Sequence, residues 1–371
     1  VRRKVHRQLC ALLELGAASL VAATTLPAQA FPTEFTSVGS VRELSDGRTL
    51  IADSREKRLL VLDWSTGRAR DIGRTGDGPG EYRSLSQLLA LPADTTVVID
   101  HVARRWILYA GDRMQASVAP ERALYLWQFL APPQGVDSQG NVLVVAAVPW
   151  KGVGERAVLS RMPTYAESLV ALRLSRDGAR IDTLARLRGR PWGASTFTRG
   201  VGAQRMTYTA SNPLSAPEQA LLFPDGSVAV ARQHPFRVEW IDRDGGRRQG
   251  PVLDTASVRA TPRERAAAIA RVWPEAGPPP LTEADFSGWP ELVPSFPSDA
   301  LLHVPGNRLA VRRQRTEAQP HERIDIISRD GSLVKRLQLA AGERAVAFGA
   351  RHMYVTHTDE DGLVILSRRE W

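Results

Sequence analysis

Short apolar runs recur along this chain, each ended by a turn signal, and their length and spacing predict β-strands rather than helices. The clearest run is DGRTLIADSREKRLLVLDWSTG, Asp46 to Gly67: a turn, an apolar strand, a polar loop, a basic residue, a second apolar strand and a second turn. The same order returns in DTTVVIDHVARRWILYAGD, Asp94 to Asp112. Asp53 then corresponds to Asp100, and Arg58 to Arg105. A third copy is split between GNVLVVAAV, Gly140 to Val148, and SLVALRLSRDG, Ser168 to Gly178. A fourth spans Asp225 to Gly246 with Arg237 in the basic position, and a fifth spans Gly306 to Gly331 with Arg323 there.

Asp-Gly, Gly-Asn and Ser-Thr-Gly turns between apolar runs mark antiparallel hairpins. A small sheet apolar on both faces cannot bury them alone, whereas a ring of such sheets buries each face against its neighbour. The expected fold is therefore all-β: a six-bladed propeller of four-stranded antiparallel blades. The last blade contains three strands of its own, near Ala345–Ala347, Met353–Thr356 and Leu363–Ser367. Its outer strand is expected from the start of the mature chain, around Glu34 to Val38, so that the two ends of the chain close the ring.

Three inserts interrupt the repeat, at about 149–167, 188–216 and 255–297. Connections of this length in a compact domain often carry function. In the third, Thr261 as a cap, Pro262 at the first helical position and Glu264 behind it predict a short Ala-rich helix to Trp273, lying over one mouth of the propeller.

Composition adds a compartment. Arg2, Arg3, Lys4 and Arg7 precede an apolar stretch from Leu9 to Leu26 and then Ala28-Gln29-Ala30, the pattern of an export signal cut after Ala30. Residues 1–30 read as signal peptide and 31–371 as one propeller domain, periplasmic or secreted, without a stable membrane anchor after cleavage. Cys10, the one cysteine in the sequence, would leave with the signal, so disulfides and cysteine nucleophiles are excluded from the mature chain. The formal charge of +9 falls to +6, because residues 1–30 carry four basic residues and one acidic residue. The excess is mostly Arg, in clusters at Arg186, Arg188 and Arg190 and at Arg312, Arg313 and Arg315. With no aromatic interleaving and no reader motif, these read as solvated strand edges and loops rather than a nucleic-acid surface.

The loop GRTGDGPGEY, Gly73 to Tyr82, together with IADSREKRLLVLD before it and FSGWPELVPSF, Phe286 to Phe296, resembles bacterial exported six-bladed propellers related to NHL repeats. That resemblance implies architecture, and binding by analogy. The Gly-rich loop lacks the Gly-Lys-Ser/Thr ending of a phosphate cradle and reads as an inter-blade connection.

Two function classes follow. One is an exported binding propeller that engages a protein, peptide or glycan at a channel mouth. Its candidate residues are Asp53, Asp100, His101, Arg232, Arg312 and Trp289, since a ring mixing acids with arginines suits a carboxylate or sugar better than a cation. The other is a metal-dependent hydrolase or lactonase, a class found among related propellers, with Asp53 and Asp100 on a cation such as Ca²⁺. The dispersed histidines form no ligand motif, and no Gly-x-Ser-x-Gly elbow occurs. Trp150, Trp192, Trp273 and Trp289 lie in inserts, where they pack a lid or stack on a ligand.

Overall fold

Strands apolar on both faces need two partners, and the ring supplies them. The computed structural model describes residues 28–371 except 79, 86, 120–132, 148–167, 178, 191–193, 200–205, 255–256 and 273–280. Most of the export-signal pattern, the first insert, and Trp127, Trp150, Trp192 and Trp273 lie outside the described residues.

Strand β1 (Gln29–Phe35) precedes blade one, which is β2 (Ser40–Glu43), β3 (Thr49–Asp53), β4 (Arg58–Asp63) and β5 (Arg68–Asp71). A two-residue parallel pair, β6 (Arg74–Thr75) and β7 (Glu81–Tyr82), leads to blade two: β8 (Leu88–Ala90), β9 (Thr95–Asp100), β10 (Arg105–Ala110) and β11 (Arg113–Val118). Blade three has β12 (Val142–Ala147), β13 (Ser168–Leu174) and β14 (Ile181–Arg188). Its innermost place is held by a shorter segment, where Val136 bridges Val142 and the Gln134 N–H donates to Leu143.

The second insert contains a hairpin, β15 (Ala194–Arg199) with β16 (Met206–Ser211), where no strands were expected. Blade four follows as β17 (Gln219–Leu222), β18 (Val228–Arg232), β19 (Arg237–Ile241) and β20 (Arg247–Gln249). Helix α1 (Pro262–Val272) then precedes blade five: β21 (Leu301–Val304), β22 (Arg308–Arg312), β23 (Arg323–Ile327) and β24 (Leu333–Gln338). Blade six is β25 (Glu343–Phe348), β26 (His352–Thr358) and β27 (Val364–Glu370).

Closure occurs as expected but in a different stretch. Strand β1 pairs antiparallel with β27, Glu34 opposite Ile365 and Phe35 opposite Val364, so the joining strand is Gln29–Phe35 rather than Glu34–Val38. Phe31 and Phe35 are the buried members of that strand, and burying them fixes its placement.

The core is six inter-blade layers. Leu50, Ala52, Leu59 and Val61 of blade one meet Val98, Ile107 and Tyr109 of blade two, while Ile51, Leu60 and Leu62 turn the other way onto Phe31, Phe35 and Tyr354. The alternation of Cβ directions thus feeds two cores from one apolar run. Each fully buried Leu or Ile contributes roughly 1.5–3 kcal/mol. Blades four and five approach through backbone: a Cβ on Gly250 would lie 2.6 Å from Gly331 Cα and 2.8 Å from the Val238 carbonyl. No helix among the described residues is long and apolar enough to cross a membrane.

Candidate functional site

Asp53 and Asp100 occupy matching places at the ends of β3 and β9, and the structure gives them matching partners. Asp53 is buried and accepts hydrogen bonds from the backbone and hydroxyl groups of Thr36 and Ser37, at 2.7–3.2 Å, and from the N–H groups of Arg55 and Glu56. Asp100 accepts from the Arg83 and Ser84 N–H groups, the Ser84 hydroxyl and the Ala103 N–H. Each carboxylate ties the connection entering its blade to the hairpin that follows it. They share no partner, and neither lines a cavity described below. Donors that aim hydrogens at these oxygens occupy the lone pairs a hard cation needs, so the two sites do not fit Ca²⁺. Among the described residues, no group of three or more His, Cys, Asp or Glu side chains is placed to hold a metal ion.

Burial alone would raise the Asp53 pKa, but hydrogen bonds from Ser37, Glu56 and Thr36 outweigh it and hold the carboxyl below its ordinary value. The stability it confers is therefore complete above about pH 4 and lost as pH falls through the folded-state value. Asp53→Ala is expected to cost about 3 kcal/mol at pH 7, by stranding several donors, and to flatten the acid limb of the stability profile. Urea unfolding of both proteins at pH 7 and pH 3 measures this; equal midpoints would remove the turn-closing role.

The other candidates disperse. His101 begins the turn after β9 and has its pKa lowered by burial, against the pull of Asp100. Arg232 is engaged by Glu218 at 2.7 Å and Glu239 at 2.8 Å. Trp289 donates to the Glu283 carbonyl, lies edge-on to Phe286 and carries Arg265 5.5 Å above its ring, seating the third insert. The Gly-rich loop is held from within and from blade two: the Gly78 N–H binds the Glu81 carboxylate, and Arg105 of β10 binds the Gly76 and Glu81 carbonyls.

Arg312 leads elsewhere. It ends β22 and, with Arg313, is buried rather than on the solvated edge the sequence suggested. Helix α1 starts as its sequence predicts, with Thr261 capping the Glu264 N–H, and the buried Glu264 carboxylate holds the Glu317 N–H. That contact lays the helix over the Arg312–Thr316 segment. Beneath it is a cavity of about 170 Å³ lined by five arginines, Arg271, Arg312, Arg313, Arg315 and Arg344, against two acids, Asp299 and Glu322. Arg344 pairs with Asp299, and Arg312 lies 3.5 Å from the same carboxylate. Among the described residues, Arg271 Nη2, Arg312 Nε and Gln314 Oε1 are buried with no hydrogen-bond partner.

The arginines also press on one another. Burial and then the Arg344 charge lower the Arg312 pKa, and burial and then Arg315 lower that of Arg271. Burial raises Glu322, which holds the Ala345 N–H. Of the sequence candidates only Arg312 lines this cavity. Arg315 was visible in its cluster; Arg271 and Arg344 carried no signal, because their nearness to Arg312 is created by the helix and by blade six. At the opposite end of blade five the channel opens into a cavity of about 620 Å³, lined by inner strands, among them β2, β8 and β21, and by the turns that follow them.

No protein-family model matches the chain, and no curated protein sequence does. Solved structures similar to it include a DUF4221 family member from Bacteroides vulgatus, at 7% identity over 93% of this chain and 98% of that one, TM-score 0.46. A candidate exported protein from Bacteroides fragilis matches at 11% identity over 94% and 96%, TM-score 0.43. Virginiamycin B lyase from Staphylococcus aureus matches at 9% over 93% and 99%, TM-score 0.40.

Proposed function

We propose that this chain is an exported binding propeller whose helix-covered mouth takes an anionic group of a protein, peptide or glycan ligand. The observation that carries the reading is the pair of buried guanidinium nitrogens, Arg271 Nη2 and Arg312 Nε, without a partner among the described residues, in a cavity where described arginines outnumber acids five to two. An unsatisfied buried donor on a charged group costs more than about 1–3 kcal/mol, and an entering oxyanion supplies its acceptor and relieves the repulsion among the arginines. About 170 Å³ is small beside the roughly 300–1,000 Å³ of a whole-ligand pocket, so the cavity receives a group and the rest of the ligand stays outside. Export is supported by the basic start, apolar run and Ala28-Gln29-Ala30. A propeller scaffold serves binding and hydrolysis alike, and the engaged carboxylates of Asp53 and Asp100 lend the hydrolase reading no support.

Titration calorimetry at low salt with glucuronate and with acetylglutamate tests this. The expected result is binding that weakens at least about tenfold in Arg271→Gln/Arg315→Gln and falls with added salt. Binding that is undetectable in the native protein, or unchanged in the double variant, removes the reading.

A further inference from the structure

Between blades four and five lies a third cavity, of about 670 Å³. Its walls include Phe236, Val252, Val258, Leu292 and Pro294, and two of these are exposed apolar residues, Val252 at 44% and Val258 at 40%. Its charges come from Arg313, Arg323, Arg336 and Asp254, with the buried Asp325 beneath.

The repeat shows what is missing there. The basic residue opening the third strand of a blade stands opposite an acid in blades one and two, Arg58 facing Asp53 and Arg105 facing Asp100. In blade five that residue is Arg323, and its backbone carbonyl accepts the N–H of another arginine, Arg313. Arg313 is committed to Asp325 at 2.9 Å and Asp254 at 2.7 Å, and Arg336 takes the other edge of Asp325 at 2.8 Å. Three guanidiniums thus meet two carboxylates, and among the described residues that of Arg323 has neither hydrogen bond nor ion pair. Burial, then the charges of Arg313 and Arg336, lower its pKa against the weaker pull of Asp325 and Asp254. Gln314 Oε1, buried without a partner among the described residues, belongs to a residue lining this cavity too.

We propose that this cavity binds a carboxylate carried on a nonpolar body, the carboxylate on Arg323 and the body along Val252, Val258, Leu292 and Pro294. A fatty acid and the C-terminus of a nonpolar peptide share that chemistry. A peptide N–H would in addition satisfy Gln314, which a fatty acid cannot do. The proposal is independent of the helix-covered mouth, whose probes have no apolar body.

Calorimetry with octanoate, N-acetyl-leucyl-leucine and the C-terminal amide of that dipeptide tests it. At least one carboxylate probe is expected to bind, at least about tenfold more weakly to Arg323→Gln and to Val258→Asp, with binding kept in Arg271→Gln/Arg315→Gln. Tighter binding of the dipeptide assigns a peptide terminus, and tighter binding of octanoate a fatty acid. Circular dichroism melting shows that the variants fold, and Arg323→Gln, which removes no hydrogen bond or ion pair among the described residues, carries the test if Val258→Asp does not. No binding of either carboxylate, dipeptide amide binding as tightly as the acid, or full affinity in folded Arg323→Gln overturns the proposal.

Discussion

A chain beginning at Gly39 is expected to lose most of its stability relative to one beginning at Phe31. Phe31 and Phe35 are each 3% exposed and pack with Trp64, Tyr354 and Leu366 in the layer that joins blade six to blade one. The Phe31 and Trp64 rings meet edge-on at 5.1 Å, and Trp64 donates to Thr49 at 2.8 Å. Removing a buried Phe side chain costs about 3–5 kcal/mol, so losing both approaches the roughly 5–15 kcal/mol that holds a typical domain folded. The shorter chain also loses Thr36 and Ser37, leaving the Asp53 carboxylate buried with fewer donors. Urea unfolding compares the two chains, with Phe35→Ala as a milder variant expected to lose about 3–5 kcal/mol. A peptide of residues 29–38 added in excess is expected to recover part of the loss, because the strand binds the folded ring and not the unfolded chain. Equal midpoints for the two chains would mean that the ring holds without β1.

That strand also shows where sequence reading reached its limit. The need for an outer strand was legible from a last blade with three strands of its own, but its position was not. Ala28-Gln29-Ala30 reads as a cleavage pattern, and only the partners of Gln29, Trp64 and Arg368, reveal those residues in a ladder. The alternation of Thr with Phe and Tyr in β15 and β16 was present in the sequence, yet it fell inside an interruption of the repeat. Asp53 and Asp100 were matched correctly, whereas their role depends on donors 16 or 17 residues upstream or one turn downstream. The Arg312–Arg313 pair misled for a simple reason. The end of β22 is covered by the helix and by the third insert: Arg312 lines the helix-covered cavity, and Arg313, just past the strand, lines that cavity too while reaching Asp325 and Asp254.

Asp325→Ala is expected to cost about 3–5 kcal/mol, the second large effect, because it strands charges already out of water. Asp325 is 0% exposed and Arg313 6%, and the Asp325 carboxylate holds Arg313 and Arg336 together. Without it, Arg313, Arg323 and Arg336 face one another with Asp254 as the remaining acid of the group. Arg336 has a side chain 43% exposed, so Arg336→Ala should cost less than about 1 kcal/mol. Replacing both members of the buried pair, as Arg313→Met with Asp325→Leu, should recover much of the loss, since apolar residues of similar size need no counter-charge. Urea unfolding of the single and double variants reads the coupling, and a loss below about 1 kcal/mol for Asp325→Ala would show that the pair bears little of the stability. The same substitution should weaken ligands in both cavities. Arg313 lines each of them, lies 4.2 Å over the Phe236 ring and donates to the Ser295 carbonyl, so the wall between the two compartments stands where Asp325 holds it.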